Sequence, residues 1–186
     1  PIEACEDFFY LIFFEGKESL GFRPKLETFF KRMLPYQPYL THYQLIIHSK
    51  NTFPHSSGIA SSASSMAALA ACLVDFEAQL TSMTENEKQA KISFLARLGS
   101  GSACRSITGP VMAWGKHPDI ATSSNLLAVE VPEIHPVFAT FNDTILLIDK
   151  GQKQVSSTLG HKLMENHPYA EQRFAQADTH LGQLLP

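Results

Sequence analysis

The sequence has no long apolar segment, no excess of positive charge and no paired cysteines. No stretch approaches the roughly 20 consecutive apolar residues that cross a bilayer, so we expect neither a membrane span nor a leader for export. Fifteen basic and 18 acidic residues give a formal net charge of −3, whereas nucleic-acid-binding domains usually carry a positive excess. Cys5, Cys72 and Cys104 share no CxxC spacing, and we expect them to be reduced thiols of a cytoplasmic protein.

The sequence does contain enough apolar residues for a core. Of its 186 residues, 44% are hydrophobic and 13 are phenylalanine, which is sufficient for one domain or for one domain and part of another. Apolar patterns predict strands over residues 8–14, 43–48, 111–114, 126–131 and 144–148. Helical patterns cover residues 24–34, 58–80, 84–98, 157–166 and 169–185. The helix over 84–98 begins with a Thr84–Glu87 capping box, and after an interruption at residues 99–102 a short helix is expected to continue to residue 107. Because strands and helices mix without regular alternation, the predicted fold class is α+β.

A loop of small residues precedes the Ala-rich helix. Within residues 54–64, Gly58, Ala60, Ser61 and Ser62 stand where a strand leads through a loop into a helix start. Such a start offers unpaired N–H groups and a partial positive charge, and small residues let a phosphate approach the backbone. The loop lacks the lysine of a Walker P-loop. The alternative interpretation is a serine-capped core helix.

A second loop, residues 99–106, has a similar character. Ser102 and Arg105 are three positions apart, so on a helical turn they share a face and could hold one anion. The alternative is a helix-breaking Gly-Ser turn followed by a surface arginine. Two such loops within about 50 residues predict a ligand with more than one anionic group.

These motifs resemble those of a known superfamily. Residues 53–63 resemble the phosphate-binding motif of the GHMP small-molecule kinases, with Ala60 where those kinases usually carry glycine. That alanine, the upstream Asn51-x-Phe-Pro, the segment 99–106 followed by Trp114, and residues 153–160 are similar to the diphosphomevalonate decarboxylase branch. The resemblance implies a GHMP-type N-terminal domain of the ribosomal S5 domain 2-like fold over residues 1–150. Residues 151–186 would begin the C-terminal domain.

The resemblance also implies an activity. ATP with Mg²⁺ would phosphorylate the tertiary 3-hydroxyl of mevalonate 5-diphosphate, and loss of that phosphate with CO₂ would give isopentenyl diphosphate in isoprenoid biosynthesis. By this resemblance, the ATP phosphates would be bound by Gly58, Ala60, Ser61 and Ser62, and Ser61 or Ser62 is a candidate Mg²⁺ ligand. The substrate would be bound by Ser100, Ser102 and Arg105. Ser102 and Arg105 would be catalytic, while Ser156 and Ser157 would also face the substrate phosphates. A cytoplasmic homodimer is implied as well, with no nucleic-acid or membrane partner.

Two family segments have no counterpart in the sequence. Neither the Asp-Ala-Gly-Pro-Asn-like segment that carries the catalytic Asp nor the Lys-Tyr-Trp-Gly-Lys-like N-terminal segment occurs. We therefore expect the chain to be an internal fragment that is inactive alone. Two alternatives stay open: a related GHMP kinase or decarboxylase that acts on mevalonate or its monophosphate, and a non-catalytic dimerising remnant. The eight histidines lack metal-site spacing, Trp114 is expected in the core, and Cys104 is expected to be a packed thiol.

Overall fold

Six short strands and five helices make up the part of the chain that the structure describes. The structure is a computed structural model that describes residues 2–4, 8–53, 59–146, 148 and 157–185. The strands are β1 (Ile2–Ala4), β2 (Phe9–Phe14), β3 (Lys17–Glu18), β4 (Tyr43–Ser49), β5 (Met112–Ala113) and β6 (Val129–Glu130). The helices are α1 (Arg23–Met33), α2 (Ser61–Leu80), α3 (Glu85–Gly99), α4 (Ser157–Lys162) and α5 (Ala170–Leu184). Short 3₁₀ turns lie at Leu20–Phe22, Leu34–Tyr36, Pro38–His42, Gly101–Arg105 and Pro136–Thr140.

The larger sheet has the order β1-β4-β2-β3. Strands β2 and β4 are parallel, with Phe9 opposite Gln44 and Phe14 opposite Ser49, whereas β1 and β3 pair antiparallel on the two outer sides. Parallel neighbours need a crossover connection, and α1 lies in the chain between β2 and β4. The mixed sheet with its helices is the predicted α+β class.

The core lies between this sheet and the first three helices. Alternate strand residues point to one face, so Ile12 of β2 and Leu45 of β4 are buried on the same side. They belong to one apolar cluster with Phe29 and Phe30 of α1 and with Leu95 of α3. Helix α2 contributes Ala63, Met66, Ala67, Ala70, Leu73 and Val74 to this cluster. The Ala-rich helix thus buries one face in the core, while Ser64, Ala68, Cys72 and Asp75 are exposed on the other.

Helices α2 and α3 form a hairpin that ends at the second small-residue loop. The predicted capping box is present: the Thr84 hydroxyl accepts the Glu87 N–H, and the Glu87 carboxylate accepts the Thr84 N–H at 2.9 Å. At the other end of α3, a Cβ on Gly99 would lie 2.5 Å from the Met66 sulfur. The absence of a side chain at Gly99 thus lets the end of α3 approach α2 closely.

Strands β5 and β6 form a small antiparallel ladder with Met112 opposite Glu130. Between them, the buried His117 accepts the Asp119 N–H at Nδ1 and lies with Nε2 3.2 Å from the Asp178 carbonyl of α5. An Nδ1 that accepts leaves Nε2 to carry the proton, so the ring donates to α5. The C-terminal helix is thereby joined to the turn that follows β5.

Three expectations about local structure need correction. Residues 144–146 do not form a strand, and Leu146 is 82% exposed. A β-rich composition needs a pairing partner, and no described strand pairs with this segment. The other two predicted strands of this region are shortened to β5 and β6. Trp114 is 40% exposed and so is not a core residue.

The division into domains at residue 150 stays a prediction, since residues 149–156 lie outside the described ranges. None of the described helices is both long and apolar enough to cross a membrane.

Candidate functional site

The start of α2 is the first component of the site. Ala60 precedes the helix with φ 53° and ψ 30°, in the left-handed region, and the helix then begins at Ser61. No described side chain caps this end of the helix. The Ser64 and Ser65 hydroxyls instead donate backward to the Ser61 carbonyl, at 3.2 and 2.9 Å. An uncapped helix start leaves N–H groups available to an anion.

A lysine from another helix lies at this helix start. Lys25 is in the first turn of α1, and its ammonium donates to the hydroxyl of Ser62. The residue is exposed overall, yet its ammonium is partly withdrawn from solvent, and this burial lowers the pKa of Lys25 from its usual value. Sequence reasoning missed this residue, because 37 positions separate it from Ser62 and it belongs to neither loop. It adds a positive charge to the anion site.

The two small-residue loops meet at a pair of serines. The Ser62 hydroxyl donates to the Ser100 hydroxyl at 3.3 Å, although 38 positions separate them. Ser100 immediately follows α3, and its N–H donates to the Ala96 carbonyl at 3.0 Å. The α2–α3 hairpin thus brings the start of one helix to the end of the next, and the loops become parts of one site.

An open cleft of about 300 Å³ lies beside this serine pair. It is lined by Ala60, Ala63, Ser102, Arg105, Ser106, Gly109, Pro110 and Met112. Ser102 and Arg105 are on the same 3₁₀ turn, in which residues three apart project on one side. The predicted pair therefore faces a common space together with Ala60 of the first loop.

Three contacts hold the second loop in place. The buried Ser93 hydroxyl accepts the Ala128 N–H at 2.9 Å and donates to the Cys104 carbonyl at 3.0 Å. The Cys104 thiol donates to the Gly101 carbonyl. Burial raises the pKa of this thiol, which agrees with the expected packed and unreactive cysteine. Trp114 lies across Gly101: a Cβ at that glycine would be 2.9 Å from the ring. Sequence reasoning identified the loop but not these supports.

The predicted site residues fall into four groups. Ala60, Ser102 and Arg105 line the cleft, while Ser62 and Ser100 touch each other beside it. Ser61 begins α2 and Ser157 begins α4. Gly58 and Ser156 lie outside the described residues. No cluster of three His, Cys, Asp or Glu side chains suited to a metal ion occurs in the described ranges.

Comparison with known proteins assigns the family. A sequence model described as the diphosphomevalonate decarboxylase-like N-terminal domain matches residues 9–125. The chain belongs to this family. The match contains both small-residue loops, Lys25 and the lining of the cleft, and it ends before Ser156.

Curated relatives bear the name of the same family. The diphosphomevalonate decarboxylase of Ganoderma lucidum is 39% identical over 145 residues, which are 73% of this chain and 32% of the relative. That of Saccharomyces cerevisiae is 36% identical over 128 residues, or 68% of this chain and 30% of the relative. The chain thus spans about a third of the length of these curated relatives.

Solved structures agree on the fold. The mevalonate diphosphate decarboxylase of Legionella pneumophila superposes with a TM-score of 0.65 at 26% identity, over 99% of this chain and 56% of that protein. The Staphylococcus aureus enzyme gives 0.68 at 25% identity, over 97% of this chain and 52% of its own. The predicted GHMP kinase-type fold is confirmed by these likenesses.

Proposed function

We propose that the protein acts in the ATP-dependent decarboxylation of mevalonate 5-diphosphate to isopentenyl diphosphate. The observation that carries the proposal is the 3.3 Å contact between Ser62 and Ser100, which joins the predicted phosphate loop to the predicted substrate loop. The family and the names of its relatives support this substrate.

The donors of the site fit two groups of anionic oxygens. At the start of α2, the uncapped helix end and the Lys25 ammonium suit the phosphates of ATP, and the Ser61 or Ser62 hydroxyl suits its Mg²⁺. Across the serine pair, Ser100, Ser102 and Arg105 would bind the carboxylate and diphosphate of the substrate.

Bound Mg²⁺-ATP would supply a phosphoryl group that makes the tertiary hydroxyl a good leaving group. The residues of this chain would then act by orientation. Arg105 would hold the substrate anions while the carbon–carbon bond breaks and phosphate departs, and Ser62 with Ser100 would keep the two ligands next to each other.

The test of the proposal uses the 186-residue chain and two titrations. Isothermal titration calorimetry should detect binding of mevalonate 5-diphosphate and of Mg²⁺-ATP. Arg105→Ala should weaken substrate binding at least tenfold and leave nucleotide binding nearly intact. Arg173→Ala, an exposed arginine on α5, is the matched control. Equal loss of both ligands would contradict the assignment of Arg105 to the substrate.

Turnover separates the alternatives. We propose that the chain alone is inactive, because it contains no counterpart of the segment that carries the catalytic Asp. Phosphate and CO₂ released together from mevalonate 5-diphosphate would contradict this inactivity and support decarboxylation. Turnover of mevalonate or its monophosphate instead would indicate the related enzyme: a kinase if ADP is released without CO₂, and a decarboxylase if CO₂ is released as well. A chain that binds neither ligand but dimerises would be the non-catalytic remnant.

The proposal includes a cytoplasmic homodimer, for which the family resemblance is the support. Cys72 and Cys104, the two cysteines in the described ranges, are both free thiols, which is compatible with a reducing compartment. Light scattering of the purified chain should give twice the mass of 20.6 kDa. A monomeric mass at micromolar concentration would contradict the homodimer.

A further inference from the structure

The lining of the cleft contains two chemical kinds of side chain. Ser102, Arg105 and Ser106 supply hydroxyls and a positive charge. The remaining side chains are apolar: Ala60, Ala63, Pro110 and Met112. An inorganic anion would use only the polar group of residues, so the apolar group favours a ligand that carries hydrocarbon next to its charges.

Met112 is the largest apolar side chain that lines the cleft, and two features fix its position. In the β5–β6 ladder it lies directly opposite Glu130, so the two side chains emerge on the same face. Both side chains also contact Gly109, whose φ of 72° is in the region that favours glycine. A Cβ at Gly109 would lie 2.7 Å from the Met112 sulfur and 3.2 Å from the Glu130 carboxyl carbon. The thioether therefore packs directly on the Gly109 backbone.

We propose that Met112, supported by Pro110, determines how large an alkyl group the substrate can carry on its tertiary carbon. This inference rests on the proposed function, in which the substrate is a short branched acid with several anionic groups. When Arg105 and the serines hold those anions, the hydrocarbon between them contacts the apolar part of the same lining, to which Met112 belongs. A thioether adapts its shape to a methyl group but occupies the volume that a longer chain would need.

The experiment compares two ligands that differ by one methylene. The chain is titrated with mevalonate 5-diphosphate and with its homologue that bears ethyl in place of the 3-methyl group. The wild-type chain should bind the methyl compound about tenfold more tightly, since one methylene against an apolar wall changes affinity by about 10–200-fold. Met112→Ala should reduce this ratio to about one or invert it. Met164→Ala, which removes a methionine outside the cleft, should keep the wild-type ratio.

A second variant covers the case in which Met112→Ala fails to fold. Met112→Phe fills the same space and should weaken binding of both compounds, the ethyl homologue more strongly. An unchanged ratio in both variants, with native thermal unfolding, would overturn the inference and leave the proposed function standing. If the wild-type chain bound neither compound, the proposed function and this inference would fail together.

Discussion

The six-membered ring of Trp114 lies next to Gly101, the residue between Ser100 and Ser102 of the candidate site. A Cβ on Gly101 would lie 2.9 Å from the ring carbon Cη2 and 3.3 Å from Cζ3. The ring cannot move away freely, because its indole N–H donates to the Asn125 carbonyl at 3.1 Å. The position of an exposed aromatic side chain is thus coupled to the backbone that presents the two serines.

Gly101→Ala should therefore displace this backbone. We expect a loss of about 1–3 kcal/mol in the free energy of unfolding, as in other overpacked sites, together with weaker substrate binding. Trp114 is the single tryptophan of the chain, so its fluorescence reports the change directly. Gly21→Ala is the control, since a Cβ there meets no atom within 4 Å. Identical emission spectra for Gly101→Ala and the wild type would show that the ring does not constrain the loop.

Lys25 should make nucleotide binding depend on pH. Lys25→Met should weaken ATP binding about tenfold, as the loss of one charge-assisted contact predicts. Burial lowers the pKa of this lysine, so wild-type binding should decline as pH rises through a value below that of an ordinary lysine. Over the same pH window the unfolded chain binds more protons, so the free energy of unfolding should rise with pH. Calorimetric titrations at several pH values measure the first effect, and urea unfolding measures the second.

Two substitutions serve as controls for Lys25. Lys25→Arg keeps its charge at high pH and should abolish the decline in ATP binding. Lys31→Met removes a lysine from a later turn of the same helix and should leave binding unchanged. A decline that persists in Lys25→Arg would assign the titration to another group.

Ala60→Gly should stabilise the protein. The left-handed backbone at φ 53° strains alanine, and glycine removes that strain at a smaller entropic cost. We expect a gain of about 0.5–1 kcal/mol, or about 1–4 °C in Tm for a chain of this size. Ala78→Gly is the matched control within α2, where the same substitution should cost about 1 kcal/mol. Differential scanning calorimetry should show a higher Tm for Ala60→Gly and a lower Tm for Ala78→Gly than for the wild type. A lower Tm for Ala60→Gly would show that the backbone at residue 60 does not strain alanine.

Ser93→Ala should destabilise the second loop, residues 99–106. It removes the hydroxyl that joins the Cys104 carbonyl to the Ala128 N–H and leaves both groups without this partner in a buried region. Such a loss costs about 1–3 kcal/mol. Ser64→Ala, an exposed position in α2, should change stability by less than about 0.5 kcal/mol. Urea unfolding of both variants and the wild type measures these changes in stability. Equal midpoints for Ser93→Ala and the wild type would show that Ser93 does not stabilise the loop.

Local patterns predicted most of the helical part of the fold. The Thr84–Glu87 capping box set the start of α3, and the apolar pattern of the Ala-rich run predicted the helix α2, because both signals act within a few residues. Strands were less predictable. The segment around Leu146 has a strand-like composition but lies outside any described strand, since strand formation depends on a pairing partner that composition does not specify.

The amino-acid sequence alone predicts the candidate site residues: two loops of small residues at helix ends, one with Ser62 and the other with Ser100, Ser102 and Arg105. Which of these residues touch each other depends on the packing of the helices. The contact between Ser62 and Ser100 spans 38 positions, and that between Lys25 and Ser62 spans 37. Contacts at such separations result from the packing of α1, α2 and α3 around a shared core, which no local motif encodes.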